Sequence, residues 1–117
     1  MKKLLSIKSN RDFLFAYRKG KSFVNPILIT YINKNRKGTN YVGVTTSKKI
    51  GNAVERNRAR RVIKAAYQNL SYELKQGYDI VFVARSKTSN VKMDKVLEVM
   101  EKQLLSINEQ AGIDNKK

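Results

Sequence analysis

Residues 47–68, SKKIGNAVERNRARRVIKAAYQ, constrain this chain more than any other stretch. Seven of them are basic (Lys48, Lys49, Arg56, Arg58, Arg60, Arg61 and Lys64), and only Glu55 is acidic. The second half has helical period. Ala59, Val62, Ile63, Ala66, Tyr67 and Leu70 recur at three- and four-residue spacing, which gathers them on one face of an α-helix. Asn57, Arg60, Arg61 and Lys64 form a stripe on the opposite face, with Arg56 and Arg58 at the two borders. One face is built for burial and the other is positive. Gly51 allows a turn ahead of the helix, and Asn52 suits the N-cap position. Open amide groups, the positive end of the helix dipole and the nearby Lys48 and Lys49 together suit a polyanion such as a phosphate backbone. A solvated charged face is the plainer alternative. The run is one-signed and interleaved with Asn57, which favours a nucleic-acid surface.

The rest of the composition narrows the choice. A chain of 117 residues is the size of one domain with its own core. Its 25 Lys and Arg against 9 Asp and Glu give a net charge of +16, a self-repulsion that a polyanionic partner relieves. Nucleic acid is the leading partner class and an anionic membrane surface the second. No apolar run is long enough to span a bilayer, and the opening MKKLLSIKS is too short in apolar residues for a secretory segment. The absence of cysteine excludes disulfides and thiolate metal sites and fits a cytoplasmic protein. The absence of histidine excludes histidine triads, bases and metal ligands, and the carboxylates are scattered rather than paired. Any catalysis is expected to belong to a partner.

Along the chain, residues 1–8 read as a basic flexible arm, 9–108 as a single nucleic-acid-binding domain and 109–117 as a flexible tail. A first helix is expected from near Arg11, capped by Ser9 or Asn10. Its apolar rows are Phe13, Leu14, Ala16 and Tyr17, and Gly20 closes it as a left-handed cap. Residues 22–33 are β-like and interrupted by Asn25 and Pro26, with Ile27, Ile29 and Tyr31 on one face and Leu28, Thr30 and Ile32 on the other. Residues 33–40 read as a hairpin loop, returning residues 41–46 as the partner strand; Gly43 there signals a bulge or a close approach. After the basic helix, YDIVFVA (78–84) has the continuous apolar character of a strand covered on both faces. A polar loop over 85–92 leads to a last amphipathic helix from about Met93, marked by Val96, Leu97, Met100, Leu104 and Ile107. The order α-β-β-α-β-α, with 22–33 able to supply two strand segments, is that of a two-layer α/β (α+β) sandwich with a small sheet.

Residues 47–64 resemble the signature of the bacterial ribonuclease P protein subunit: S-K-K-x-G-N-A-V-x-R-N-R, a basic pair, then an amphipathic helix, together called the RNR motif. The resemblance extends over roughly residues 5–107. It takes in Asp12-Phe13 and Tyr17 on a helix ending at Gly20, Tyr31 in the first long strand, and Ala84-Arg85 after the later strand. Pro26 departs from it, where a polar or basic residue is expected, and Glu55 places a negative charge inside the signature.

The resemblance implies an α-β-β-β-α-β-α fold with a four-stranded sheet. It also implies a left-handed βαβ crossover around the RNR helix, against the general right-handed preference. The implied activity is endonucleolytic removal of the 5′ leader of precursor tRNA. The RNA subunit then carries the catalytic centre and the Mg²⁺ ions, with no cofactor on the protein and no activity of the protein alone. Contact with the RNA subunit falls to Lys48, Lys49, Asn52, Arg56, Asn57, Arg58, Arg60, Arg61 and Lys64, and leader binding to Phe13, Tyr17 and Tyr31 in a cleft between sheet and helices. The implied partners are the catalytic RNA and precursor tRNA, with no membrane and a monomeric protein.

The residues by themselves leave alternatives open. Phe13 and Tyr31 fit a core as well as a base platform, Arg56 fits a snorkelling border residue, and Asn52 fits a plain helix cap. Composition alone equally supports a ribosomal or general RNA-binding module. A double-stranded DNA binder lacks any helix-turn-helix spacing here.

Overall fold

The computed structural model describes residues 4–109. Its elements are α1 (Asn10–Lys19), β1 (Lys21–Val24), β2 (Leu28–Lys34), β3 (Tyr41–Thr45), α2 (Ala53–Leu70), β4 (Tyr78–Ala84) and α3 (Met93–Glu109). This is the α-β-β-β-α-β-α order that the resemblance implies.

Ser9 caps α1, its hydroxyl accepting from the amides of Arg11 and Asp12. Gly20 ends the helix, but not as the left-handed cap expected, because its φ is −72°. Its requirement is one of space. A Cβ at Gly20 would lie 2.5 Å from the Ala16 carbonyl oxygen and 3.2 Å from that of Ile32, so this glycine lets the helix end rest on β2. Asn25 and Pro26 divide 22–33 into two strands. The Asn25 and Leu28 backbones bond reciprocally at 3.1 and 3.2 Å, and the Asn25 side chain accepts from the Ile27 amide.

The sheet order is β1-β2-β4-β3. β1 and β2 are antiparallel, β2 and β4 are antiparallel, and β3 runs parallel to β4. Residues 33–40 therefore do not close a hairpin. β4 lies between β2 and β3, the place for a strand that is apolar on both faces. β3 is the sheet edge, and residues expected in a free arm cover part of it. Val42 N–H donates to Leu5 O at 2.8 Å, Ile7 N–H donates to Val42 O at 3.0 Å, and the Ile7 side chain is buried. Residues 1–3 of that arm, and the tail beyond Glu109, lie outside the described residues.

Helices α2 and α3 cover one sheet face. Ala59, Ile63, Ala66 and Tyr67 from α2 and Val96, Met100, Leu104 and Ile107 from α3 pack on Leu28, Ile32, Val42, Ile80 and Phe82. Each large apolar side chain so buried contributes about 1.5–3 kcal/mol before the entropy of ordering it is counted. α1 covers only part of the other face, where Ala16, Ile7 and Val81 are buried and Phe13, Tyr31, Tyr41 and Val83 are half-buried. A buried polar bridge ties α3 to the β1–β2 hairpin. Thr30 Oγ1 donates to Gln103 Oε1 at 2.6 Å, while Gln103 Nε2 donates to the carbonyls of Phe23 and Leu28.

Tyr67 makes the fold pH-sensitive at the alkaline end. Its ring packs on Phe82 with centroids 5.8 Å apart. Burial pushes its hydroxyl above the ordinary tyrosine value, and a hydrogen bond with Asn40 opposes this more weakly. The raised group favours the protonated native state, so this stabilisation is whole below about pH 10 and declines as pH rises through the folded value. Urea midpoints measured from pH 8 upward should show a smaller alkaline decline in Tyr67→Phe than in wild type.

Candidate nucleic-acid interface

The approach to α2 is built around a cap. Asn52 Oδ1 accepts from the Glu55 amide at 3.0 Å, and Glu55 Oε1 accepts from the Asn52 amide at 3.0 Å, a reciprocal capping box. Glu55, the one acid in the signature, is thus a structural group at the positive helix end. Gly51 has φ 143°, and a Cβ there would collide with the Glu55 carboxylate. Glu55→Ala should cost about 1 kcal/mol of stability, read as a lower urea midpoint at unchanged slope.

The cations form two sets. In the first, Arg56 Nη1 donates to Gly51 O at 2.7 Å and Arg58 Nε donates to Ser89 O at 2.9 Å. Arg60 Nη2 donates to Thr46 Oγ1 at 2.9 Å, and its Nη1 donates to Asn57 Oδ1 at 3.2 Å. Each of these guanidiniums is fixed by one or two bonds and keeps further N–H groups to offer. In the second set, Lys48, Lys49, Arg61 and Lys64 are exposed, and no hydrogen bond or ion pair holds them among the described residues. No carboxylate meets any of the seven cations there; the described ion pairs, Lys37–Asp12 and Lys95–Glu98, lie elsewhere.

Arg60 does not stand opposite the buried face, as its place in the stripe suggests. It is half-buried and turned toward Thr46, just past the end of β3. There Arg60 and Lys64 line a small cavity with Val44, Gly43, Ile7 and Phe13. This cavity connects the basic helix to the opposite sheet face around the edge strand.

On that face the three aromatic residues are brought together. The Phe13 ring rests on the backbone of Gly43, where an added Cβ would lie 2.5 Å from ring atoms Cε1 and Cζ. Gly43 is the close approach its sequence position suggests. Tyr17 and Tyr31 meet edge to face with centroids 5.1 Å apart. Phe13 and Tyr31 are half-buried on the Ile7–Ala16–Val81 cluster and Tyr17 is 37% exposed beside Tyr31, so all three remain reachable from solvent. Tyr41 joins them, unanticipated, with Lys37 Nζ 4.6 Å from its ring centroid. Thr46 and Ser89, which anchor Arg60 and Arg58, carry no signal in the sequence; only Gly43 does.

A larger cavity of about 740 Å³ lies away from both parts, between the β1–β2 turn and α3, and Pro26 lines it. Among the described residues no group of three or more carboxylates could hold a metal ion, and no helix is long and apolar enough to cross a membrane.

A family model for ribonuclease P matches residues 1–108. The chain belongs to the ribonuclease P protein family. It is 44% identical over 110 residues to the ribonuclease P protein component of Clostridium botulinum (strain Loch Maree / Type A3), covering 93% of this chain and 96% of that protein. It is 46% identical over 100 residues to that of Clostridioides difficile (strain 630), covering 82% and 88%. The ribonuclease P protein of Staphylococcus aureus superposes with TM-score 0.76 at 29% identity, covering 91% of this chain and 96% of that one. That of Thermotoga maritima gives 0.75 at 27%, covering 85% and 94%. Family membership places this chain in tRNA processing as a protein component of ribonuclease P.

Proposed function

We propose that this chain binds the catalytic RNA of ribonuclease P through the α2 approach and holds the 5′ leader of precursor tRNA in the Phe13–Tyr17–Tyr31 cleft. The observation that carries this is the two-sided layout. A cationic helix without carboxylate partners among the described residues and the aromatic residues Phe13, Tyr17 and Tyr31 lie on opposite sheet faces, and Arg60, Lys64 and Phe13 line one small cavity beside β3. Structured RNA offers phosphates to guanidinium forks, and a single-stranded leader offers bases to aromatic rings.

The chemistry belongs to the RNA. The chain has no histidine or cysteine, and its described carboxylates do not cluster, which supports leaving hydrolysis, and the Mg²⁺ that would assist it, to the RNA subunit. The protein's part is to bind, to orient the leader and to offset charge between two polyanions. It works as a monomer in the cytoplasm, its +16 charge opposing self-association.

The test is cleavage of 5′-labelled precursor tRNA by a bacterial ribonuclease P RNA at low Mg²⁺. Cleavage at the mature 5′ end should require both RNA and protein, with none from the protein alone. RNA binding without stimulated cleavage would instead favour a general RNA-binding module.

A further inference from the structure

The outer face of α1 has no task in the reading above, yet its composition is specific. Phe13, Ala16 and Gly20 turn toward the sheet. On the solvent side Leu14 and Phe15 are 53% and 50% exposed, set among the exposed Arg11, Arg18 and Lys19. Arg11, Phe15 and Lys19 are four residues apart and form one row along the helix, a cation about 6 Å to either side of the ring along the axis. Leu14 and Arg18 form the neighbouring row. The helix's one acid, Asp12, borders the Phe15 row and is paired with Lys37 at 3.5 Å. The charge around the exposed apolar surface is therefore predominantly positive. A second copy of this chain fits poorly there, since a twofold contact would set Arg11 and Arg18 against themselves on two bodies of charge +16. A polyanion with flat apolar faces fits well. Tyr17, 37% exposed, stands at the border between this face and the cleft and makes the two surfaces continuous.

We propose that the outer face of α1 is a second track for unpaired RNA, with Phe15 and Leu14 taking bases and Arg11, Arg18 and Lys19 taking the flanking phosphates. It rests on the reading that the Phe13–Tyr31 cleft holds single-stranded RNA, and it extends that strand past Tyr17 and around the helix.

The chain contains no tryptophan, so Phe15→Trp introduces a single fluorescent reporter into the full-length protein. Its emission should be quenched saturably by a 12-nucleotide oligoadenylate and far less by an RNA duplex of equal length. The Leu14→Ser/Phe15→Ser variant should bind the labelled oligoadenylate about fivefold or more weakly, with an unchanged melting temperature because both side chains are exposed. Wild-type affinity in that double variant overturns the proposal. So does an indole in Phe15→Trp that stays unquenched on bound oligoadenylate, or that duplex quenches equally. A wild-type dimer in sedimentation that the double substitution abolishes overturns it as well. The cleft reading fails separately: loss of binding in the outer-face variant together with wild-type binding in Phe13→Ala keeps the outer track and removes the cleft.

Discussion

Replacing Arg60 and Arg61 together by alanine should weaken binding of the ribonuclease P RNA by about tenfold at physiological salt and reduce the salt slope by about two. The two residues reach that result differently. Arg61 is exposed and unheld among the described residues, so its removal takes away an RNA contact and nothing else. Arg61→Ala should lower the slope of log K against log salt by about one and leave the melting temperature alone. Arg60 is fixed between Thr46 and Asn57, which spares the entropy of ordering it when RNA arrives. Arg60→Ala should therefore also lower the melting temperature slightly. Arg60→Lys should keep the slope but not the affinity, because an ammonium cannot replace a two-pronged fork. Filter binding across a salt series reads all four variants. An unchanged slope in the double variant would move the contact to Lys48 and Lys49.

Why the basic helix is legible in the sequence while the sheet is only partly so follows from what each pattern specifies. The 3.6-residue repeat of α2 and the Asn52 cap are local, and tertiary structure has little left to decide: Ala59, Ile63, Ala66 and Tyr67 are buried as the repeat requires. The repeat gives the direction of each Cα–Cβ bond, however, and not the end point of a guanidinium, which is why Arg60 reaches back to Thr46. Within β2 the strand pattern gives faces correctly, as Tyr31 opposite Leu28 and Ile32 shows, but Ile27, expected on the Tyr31 face, lies before the strand and packs with Leu28 and Ile32, and the pattern does not name partners. A Gly-containing polar loop after β2 looks the same whether the next strand pairs at once or waits for β4 to come between. Glycines divide along the same line. Gly43 signals a close approach without its partner, and Gly20 looks like a left-handed cap although what crowds it is the Ala16 carbonyl of its own helix at 2.5 Å and, less closely, that of Ile32 at 3.2 Å. The buried Gln103 and Ser89 and the edge pairing of residues 5–7 leave no local trace, since a polar residue or basic arm in sequence carries no record of what covers it. For the site, the family signature supplies residue types, and only the fold shows that Arg60 and Lys64 approach Phe13.

Gly43→Ala should reduce the preference for precursor over mature tRNA by about tenfold while leaving affinity for the RNA subunit within about twofold. Gly43 is paired with Val81 on one side of the edge strand, and residues 5–7 hold the other side through Val42, so its backbone has little freedom to retreat. A methyl group 2.5 Å from two Phe13 ring atoms leaves the ring nowhere to stay, and the displacement passes to α1 and to Tyr17 beside Tyr31. Overpacking of this kind costs about 1–3 kcal/mol. The basic face of α2 meets this region only where Arg60 and Lys64 line the small cavity beside Phe13, so its RNA affinity should change far less. Phe13→Ala should lose the same preference by deleting the platform rather than moving it. The combination separates these causes. With the ring gone, the new methyl group occupies vacated space, so Gly43→Ala/Phe13→Ala should be no worse than Phe13→Ala alone in leader binding, and the stability costs should fall short of their sum. Equal losses for precursor and mature tRNA in Gly43→Ala would make Phe13 a core residue. Additive stability losses would mean that Gly43 is required by the strand itself and not by the ring above it.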